Sequence, residues 1–105
     1  MSAYLIAHRR DITDGDELKK YREGIDQSIA RFGGKVLVRA DGFDVLEGDW
    51  HSGRNRDDSQ PERVTVIEFR DMKTLREWYD SRDYAPLKSL RQDSSASDVV
   101  AVQGL

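Results

Sequence analysis

Between Arg63 and Tyr84 the sequence RVTVIEFRDMKTLREWYDSRDY changes its periodicity within three residues. Only folds in which a strand feeds directly into a helix accommodate that change. Val64, Thr65, Val66, Ile67 and Phe69 are β-branched or aromatic strand formers. Asp71 then stands where a helix N-cap belongs, and Leu75, Trp78 and Tyr79 follow at helical spacing. One residue breaks the strand pattern, since Glu68 is a carboxylate between Ile67 and Phe69. A carboxylate in a buried element is costly without a partner, so Glu68 calls for a counter-charge or a chemical purpose.

The remainder of the chain supplies a matching set of elements. Ala3 to His8 is a short apolar run that reads as strand one, closed by Arg9 and Arg10. Thr13 and Asp14 offer an N-cap, with Asp16 and Glu17 placed to favour the helix dipole. Leu18, Tyr21, Ile25, Ile29 and Phe32 recur at steps of three and four residues, which predicts a helix to about Arg31 packed on a sheet. Gly33 and Gly34 stop it with the positive φ that a C-cap wants. Gly24, inside the helix, marks close packing. Lys35 to Ala40 reads as strand two, and Asp41-Gly42 as a hairpin turn returning through Phe43 to Glu47.

Asp49 to Glu62 lacks any apolar period and reads as a long exposed loop or partial lid. After the Arg63–Tyr84 junction, Pro86 suits the first turn of a short helix over Ala85 to Arg91. Ser94, Ser95 and Ser97 read as a linker, and Asp98 to Gln103 as strand four. The order is that of a ferredoxin-like α+β fold, βαββαβ, with an antiparallel sheet and its helices on one face. With 105 residues the chain suits a single domain over residues 1–105. The second sheet face is left for water or another subunit, and its apolar residues favour the subunit.

Composition narrows function mainly by exclusion. The net charge of −3 comes without a basic stripe, so no nucleic-acid partner is expected. The absence of cysteine removes disulfides, thiolate metal sites and cysteine nucleophiles. No apolar run spans a membrane or forms a signal peptide, which makes cytoplasmic the default expectation.

Alternation sorts the strand residues into two faces. Leu5, Ala7, Val36, Val38, Ile67, Phe69, Val99 and Ala101 form an apolar set suited to lying under the helices. Tyr4, Ile6, His8, Leu37, Arg39, Val64, Val66, Glu68, Val100 and Val102 form the opposite set. His8, Arg39 and Glu68 are thereby expected on one face, where Arg39 would hold an acidic group and Glu68 or His8 would move a proton. The plainer reading of the same three residues is a structural ion pair or a subunit contact. Tyr79 and Tyr84 carry hydroxyls for a cleft mouth, whereas Trp78 continues the packing stripe. Asp49, His51, Asp57 and Asp58 are potential metal ligands, but they lack any fixed spacing and no metal is expected. No cofactor is expected either. Ser81 has no His-Asp pair in sequence to activate it as a nucleophile.

The segments GGKVLVRADGFDVLEGDW and RVTVIEFRDMKTLREWYDSRDYAPLKSLR resemble domain of unknown function 1330, within the dimeric α/β barrel superfamily of ferredoxin-like domains. The specific parts are Gly33-Gly34, Arg39, Leu46-Glu47-Gly48, Ile67-Glu68-Phe69, and Trp78-Tyr79 with Ser81 and Tyr84. The chain departs from the family pattern in a charged insertion at Ser52 to Gln60 and in Arg70-Asp71, where a Pro-Ser step is common. The resemblance implies a homodimer whose two sheets face each other as a barrel. Together with the sorted faces it points to Arg39, Glu47, Trp78, Tyr79, Ser81 and Tyr84 as ligand-binding positions and to Glu68 and His8 as catalytic candidates. The superfamily includes cofactor-free monooxygenases, haem-handling proteins and lactone isomerases, so it brings no single activity. The leading expectation is a homodimer binding a small polar or acidic organic molecule. The alternatives are a cofactor-independent monooxygenase or isomerase, and a structural dimer without ligand.

Overall fold

The strand–helix junction is built as the periodicity requires. In the structure, a computed structural model describing residues 1–12, 15–48 and 62–105, β3 (Arg63–Phe69) turns into α2 (Met72–Tyr79) through Asp71. The Asp71 carboxylate accepts the Thr74 backbone N–H at 2.7 Å, satisfying one of the donors that a helix start leaves open. The other elements are β1 (Ala3–Ile12), α1 (Gly15–Arg31), β2 (Lys35–Asp41), α3 (Ala85–Ser94) and β4 (Ser95–Gln103). The four strands form one sheet in the order β2-β3-β1-β4 with every pairing antiparallel, a ferredoxin-like α+β arrangement. The expected N-cap at Thr13 and Asp14, the side chain of Glu17 and nearly all of the Asp49 to Glu62 loop lie outside the described residues.

The core sits between the sheet and the helices. Ala3, Leu5, Ile67 and Phe69 from the sheet meet Ile25 and Ile29 of α1, Leu75 and Trp78 of α2, and Tyr84. The predicted α1 stripe is the buried stripe, with Tyr21 and Phe32 packed at its margin. Trp78 is fixed twice, by stacking on Tyr84 at 4.1 Å between ring centroids and by its indole N–H donating to Ser28 Oγ at 2.8 Å. Gly24 is where α1 and α3 approach closely, since a Cβ there would stand 2.8 Å from Leu87 Cδ2. Of the glycine pair after α1, Gly33 alone takes the positive φ, at 72°. Gly34 is needed for space, because an added Cβ would come within 2.6 Å of Ile29 and 2.7 Å of Phe69.

Three expectations are corrected. Gly42 does turn the chain, at φ 87°, but the returning arm is β3, closed by Gly42 N–H donating to the Glu62 carbonyl at 2.8 Å. Phe43 to Glu47 forms no strand, because β3, with its Val, Ile and Phe, occupies the inner edge of β2 that this segment would need. The serines are a joint instead of a linker. α3 runs to Ser94 and β4 starts at Ser95, where Ser94 and Ser95 donate their hydroxyls to the Leu90 and Arg91 carbonyls and satisfy the helix end. Finally, β2 pairs Val36 with Ile67 and Val38 with Val66, so Leu37 is an extra residue in a bulge. The bulge reverses the faces of everything after it. Val38 turns to the open face and Arg39 turns under the helices, the opposite of their simple alternation.

Candidate functional site

The register of the sheet explains why a cavity opens under the helices. At one end the inward row is Val36, Ile67, Leu5 and Ala101, followed by Phe69 and Ala3. Large side chains there fill the core. At the other end the rows are Arg39, Thr65, Ala7, Val99 and then Asp41, Arg63, Arg9, Ser97. Ala7, Thr65 and Ser97 are too short to reach the helices, and the space above them is a cavity of about 270 Å³. Leu18, Tyr21 and Ile25 of α1 roof it, while Trp78, Tyr79 and Tyr84 line it from the side. At about 30 Å³ per water molecule, this volume accommodates roughly nine waters, or an organic molecule of about ten heavy atoms.

Charge is concentrated at one end of the cavity. Arg9 and Arg63 are directly opposite each other on adjacent strands, an arrangement that like charges avoid. Arg22 of α1 and Arg39 of β2 line the same space. Arg9 is buried, and its pKa is pushed down to about 10 by that burial and by Arg63 and Arg22, against the opposing pull of Asp41. Burial and Arg63 also lower that of Arg22. Two carboxylates partly balance the cluster from its rim. Asp41 accepts from Arg63 Nε at 2.6 Å and Nη2 at 3.0 Å, and Asp26 accepts from Arg39 Nη2 at 2.6 Å. These bonds hold both carboxyls below the usual range and raise the pKa of Arg39.

A second polar group is made of two phenols with Arg91 beside them. The Tyr21 and Tyr84 hydroxyls are 3.1 Å apart, and Arg91 of α3 stands near enough to Tyr84 for that phenol to raise its pKa against the effect of burial. Burial and then the neighbouring Tyr84 raise the pKa of Tyr21 well above 10, so it stays a neutral hydroxyl. The cavity is therefore an apolar slot with the Arg9–Arg63 pair at one end and two phenols flanked by Arg91 elsewhere in its lining. Among the described residues its lining contains no carboxylate and no imidazole.

Of the residues singled out in the sequence, Arg39, Trp78, Tyr79 and Tyr84 come together here. Glu68, His8, Glu47 and Ser81 do not. Glu68 and His8 lie on the opposite sheet face, because they sit one residue out of phase with Leu5, Ala7 and Ile67. Glu68 finds its partner in Tyr4, whose hydroxyl donates to Oε2 at 3.1 Å. The expected partner, Arg39, is carried away by the bulge and bonds Asp26 instead. His8 lies 3.1 Å from Glu62 Oε1, with Phe43 edge-on against its ring. Glu47 is exposed in the segment after Gly42. Ser81 has a structural task, donating to the Trp78 carbonyl at 2.7 Å and accepting the Tyr84 N–H at 3.1 Å. Sequence reasoning missed Arg9, Arg22, Arg63 and Arg91. For Arg9 and Arg63 a signal existed, since each continues the inward alternation of its strand by one more step past Ala7 and Thr65.

Neither a metal centre nor a spanning helix is present among the described residues. No group of three or more His, Asp or Glu there is arranged to hold a metal ion, and no helix is long and apolar enough to cross a membrane. The Asp49, His51, Asp57 and Asp58 set lies outside the described residues.

The antiparallel sheet with its helices on one side places the protein in the ferredoxin-like class of α+β folds. Residues 2–105 match the family described as Domain of unknown function (DUF1330), and the chain belongs to that family. No curated protein matches it. Among solved structures it is similar to a protein of unknown function from Rhodopseudomonas palustris, with TM-score 0.72 and 16% identity over 99% of this chain and 82% of that one. A dimeric ferredoxin-like protein of unknown function from Jannaschia sp. CCS1 superposes with TM-score 0.71 and 12% identity, over 99% of this chain and all of the other. SnoaB, a cofactor-independent oxygenase from Streptomyces nogalater, superposes with TM-score 0.67 and 10% identity, over 99% of this chain and 93% of that one. At these identities the likenesses concern the fold.

Proposed function

We propose that the protein is a homodimer that binds a small organic acid in the cavity between sheet and helices, with the acid group among Arg9, Arg22, Arg39 and Arg63. The observation that carries this reading is the cross-strand Arg9–Arg63 pair at the end of an otherwise apolar slot. Two facing guanidinium groups with a third from α1 oppose folding through like-charge repulsion, and a carboxylate between them turns that repulsion into charge-assisted hydrogen bonding. The dimer is supported by the open sheet face, where Leu37, Val38, Val100 and Val102 are exposed side chains of the kind a second sheet would cover. It is supported also by the dimeric state of the Jannaschia protein. An oxygenase or isomerase that uses Glu68 or His8 as its base draws no support from the cavity, since both lie across the sheet from it.

Thermal shift with benzoate, hexanoate and the matching neutral alcohols tests the binding reading. The acids should raise Tm in the millimolar range and the alcohols should not, because a ligand stabilises by RT ln(1 + [L]/Kd). Arg22→Gln, an exposed change on α1, should weaken the effect. Equal shifts from acids and alcohols, or none from either, would defeat it. Sedimentation at micromolar concentration tests the dimer, and a monomer there contradicts it.

A further inference from the structure

The hydrogens of the two phenols can be counted, and one is left over. Each tyrosine hydroxyl offers one hydrogen and accepts through its oxygen. Tyr21 and Tyr84 share a single hydrogen bond, at 3.1 Å, in which either is the donor. Arg91, the charged neighbour of Tyr84, can only donate, so it takes up no hydrogen from either phenol. If Tyr84 donates to Tyr21, the Tyr21 hydrogen has no acceptor within this trio; if Tyr21 donates to Tyr84, the Tyr84 hydrogen has none. Among the described residues neither hydroxyl bonds any further protein group. Tyr84 is 2% exposed and both rings line the cavity, so the spare hydrogen faces a region where an unmet donor carries a desolvation cost.

We infer that the acid bound here carries a second oxygen function, a carbonyl or hydroxyl oxygen that accepts the spare phenolic hydrogen while the acid group meets the Arg9–Arg63 end. The ligand class is thus a small oxo- or hydroxy-acid, flat enough to lie along Trp78 and Tyr84. This inference rests on the proposed binding of an organic acid and adds to it the requirement at the phenols. The Arg9–Arg63 end discriminates by charge, and the phenols add a demand for an acceptor, where a buried unmet donor penalises the wrong ligand.

Calorimetric titration with matched probes tests it, using benzoate against 4-acetylbenzoate and hexanoate against 5-oxohexanoate. With wild-type protein at least one oxo-acid should bind about three- to tenfold tighter than its parent, the range a single neutral hydrogen bond supplies. In the double variant Tyr21→Phe/Tyr84→Phe, checked by melting for an intact fold, both phenolic hydrogens are gone and the ratio of oxo-acid to parent-acid affinity should fall to about one, whereas either single variant keeps one spare hydrogen and with it the advantage. Parent acids that bind as tightly as both oxo-acids in the wild type overturn the inference and leave the organic-acid reading standing. So does an oxo-acid advantage that survives in the double phenylalanine variant. Failure of all four probes to bind overturns the organic-acid reading, and the inference with it.

Discussion

Arg9→Met should make the protein more stable and its cavity less able to hold an acid. The Arg9 side chain is only 10% exposed, opposite Arg63 across the strand pair. Lowering of its pKa from the ordinary arginine value to about 10 corresponds, at about 1.4 kcal/mol per pH unit, to roughly 3 kcal/mol spent on keeping the charge inside the protein. Methionine keeps the apolar stem and removes the charge, at the loss of the Arg9–Asp41 contact at 3.9 Å and of the other contacts of the guanidinium. A net gain of about 1 to 2 kcal/mol remains, which for a domain near this size raises Tm by at least about 4 °C. The sign follows from linkage. A cation with a depressed folded pKa destabilises the fold at every pH below about 10 and is relieved as pH rises from there toward the ordinary arginine value. The advantage of Arg9→Met should therefore be full at pH 7 and shrink above pH 10. Differential scanning calorimetry at pH 7 and pH 10.5, with benzoate titrations alongside, measures both effects. If the variant melts several degrees below wild type at pH 7, or binds benzoate equally well, Arg9 is a structural arginine and the reasoning fails.

Further expectations concern packing, register and acid stability. Gly34→Ala should cost about 1 to 3 kcal/mol, because its Cβ would press on Ile29 and Phe69 within the core; a urea midpoint unchanged from wild type contradicts the close approach. Ser28→Ala strands the buried Trp78 indole N–H and should cost about 1 to 3 kcal/mol, read from the same titration. Deletion of Leu37 should straighten β2 and still leave Arg39 on the helix side, so that Tm and benzoate affinity change little; loss of binding in a folded deletion variant would show that the bulge itself shapes the site. Asp26→Asn and Asp41→Asn should flatten the acid limb of stability. Both carboxyls are held low by their arginines, so their contribution is full above about pH 4 and lost as pH falls through their folded pKa. Each is about half exposed, at 61% and 48%, so the effect should stay below about 1 kcal/mol.

Periodicity was the reliable guide wherever local pattern and tertiary packing agree. The β3–α2 junction, the α1 stripe and the glycine stop after Arg31 all follow from side-chain spacing that the core then uses. Register was beyond its reach. A bulge adds one residue without any mark in composition, so alternation across Leu37 assigned Val38 and Arg39 to the wrong faces. The Arg39–Glu68 pairing inferred from that alternation fell with it, and the partner of Glu68 proved to be Tyr4 on the neighbouring strand. The serines near 95 look like a linker because their composition is that of loops, yet hydroxyls that bond the last carbonyls of a helix serve equally well as its ending. The cavity was legible only in part. Its aromatic wall lies in the helical pattern after Asp71, whereas its arginines come from five separate elements that only the tertiary fold brings together.

The seat of Trp78 gives the protein a built-in optical gauge. Its indole is 1% exposed, stacked on Tyr84 and part of the cavity wall, so its emission is sheltered from dissolved quenchers yet in contact with whatever fills the slot. The sequence holds one other tryptophan, Trp50. With Trp50→Phe and excitation selective for tryptophan over the four tyrosines, the emission reports on this wall, and iodide or acrylamide quenching with and without an acid follows occupancy directly in unlabelled protein.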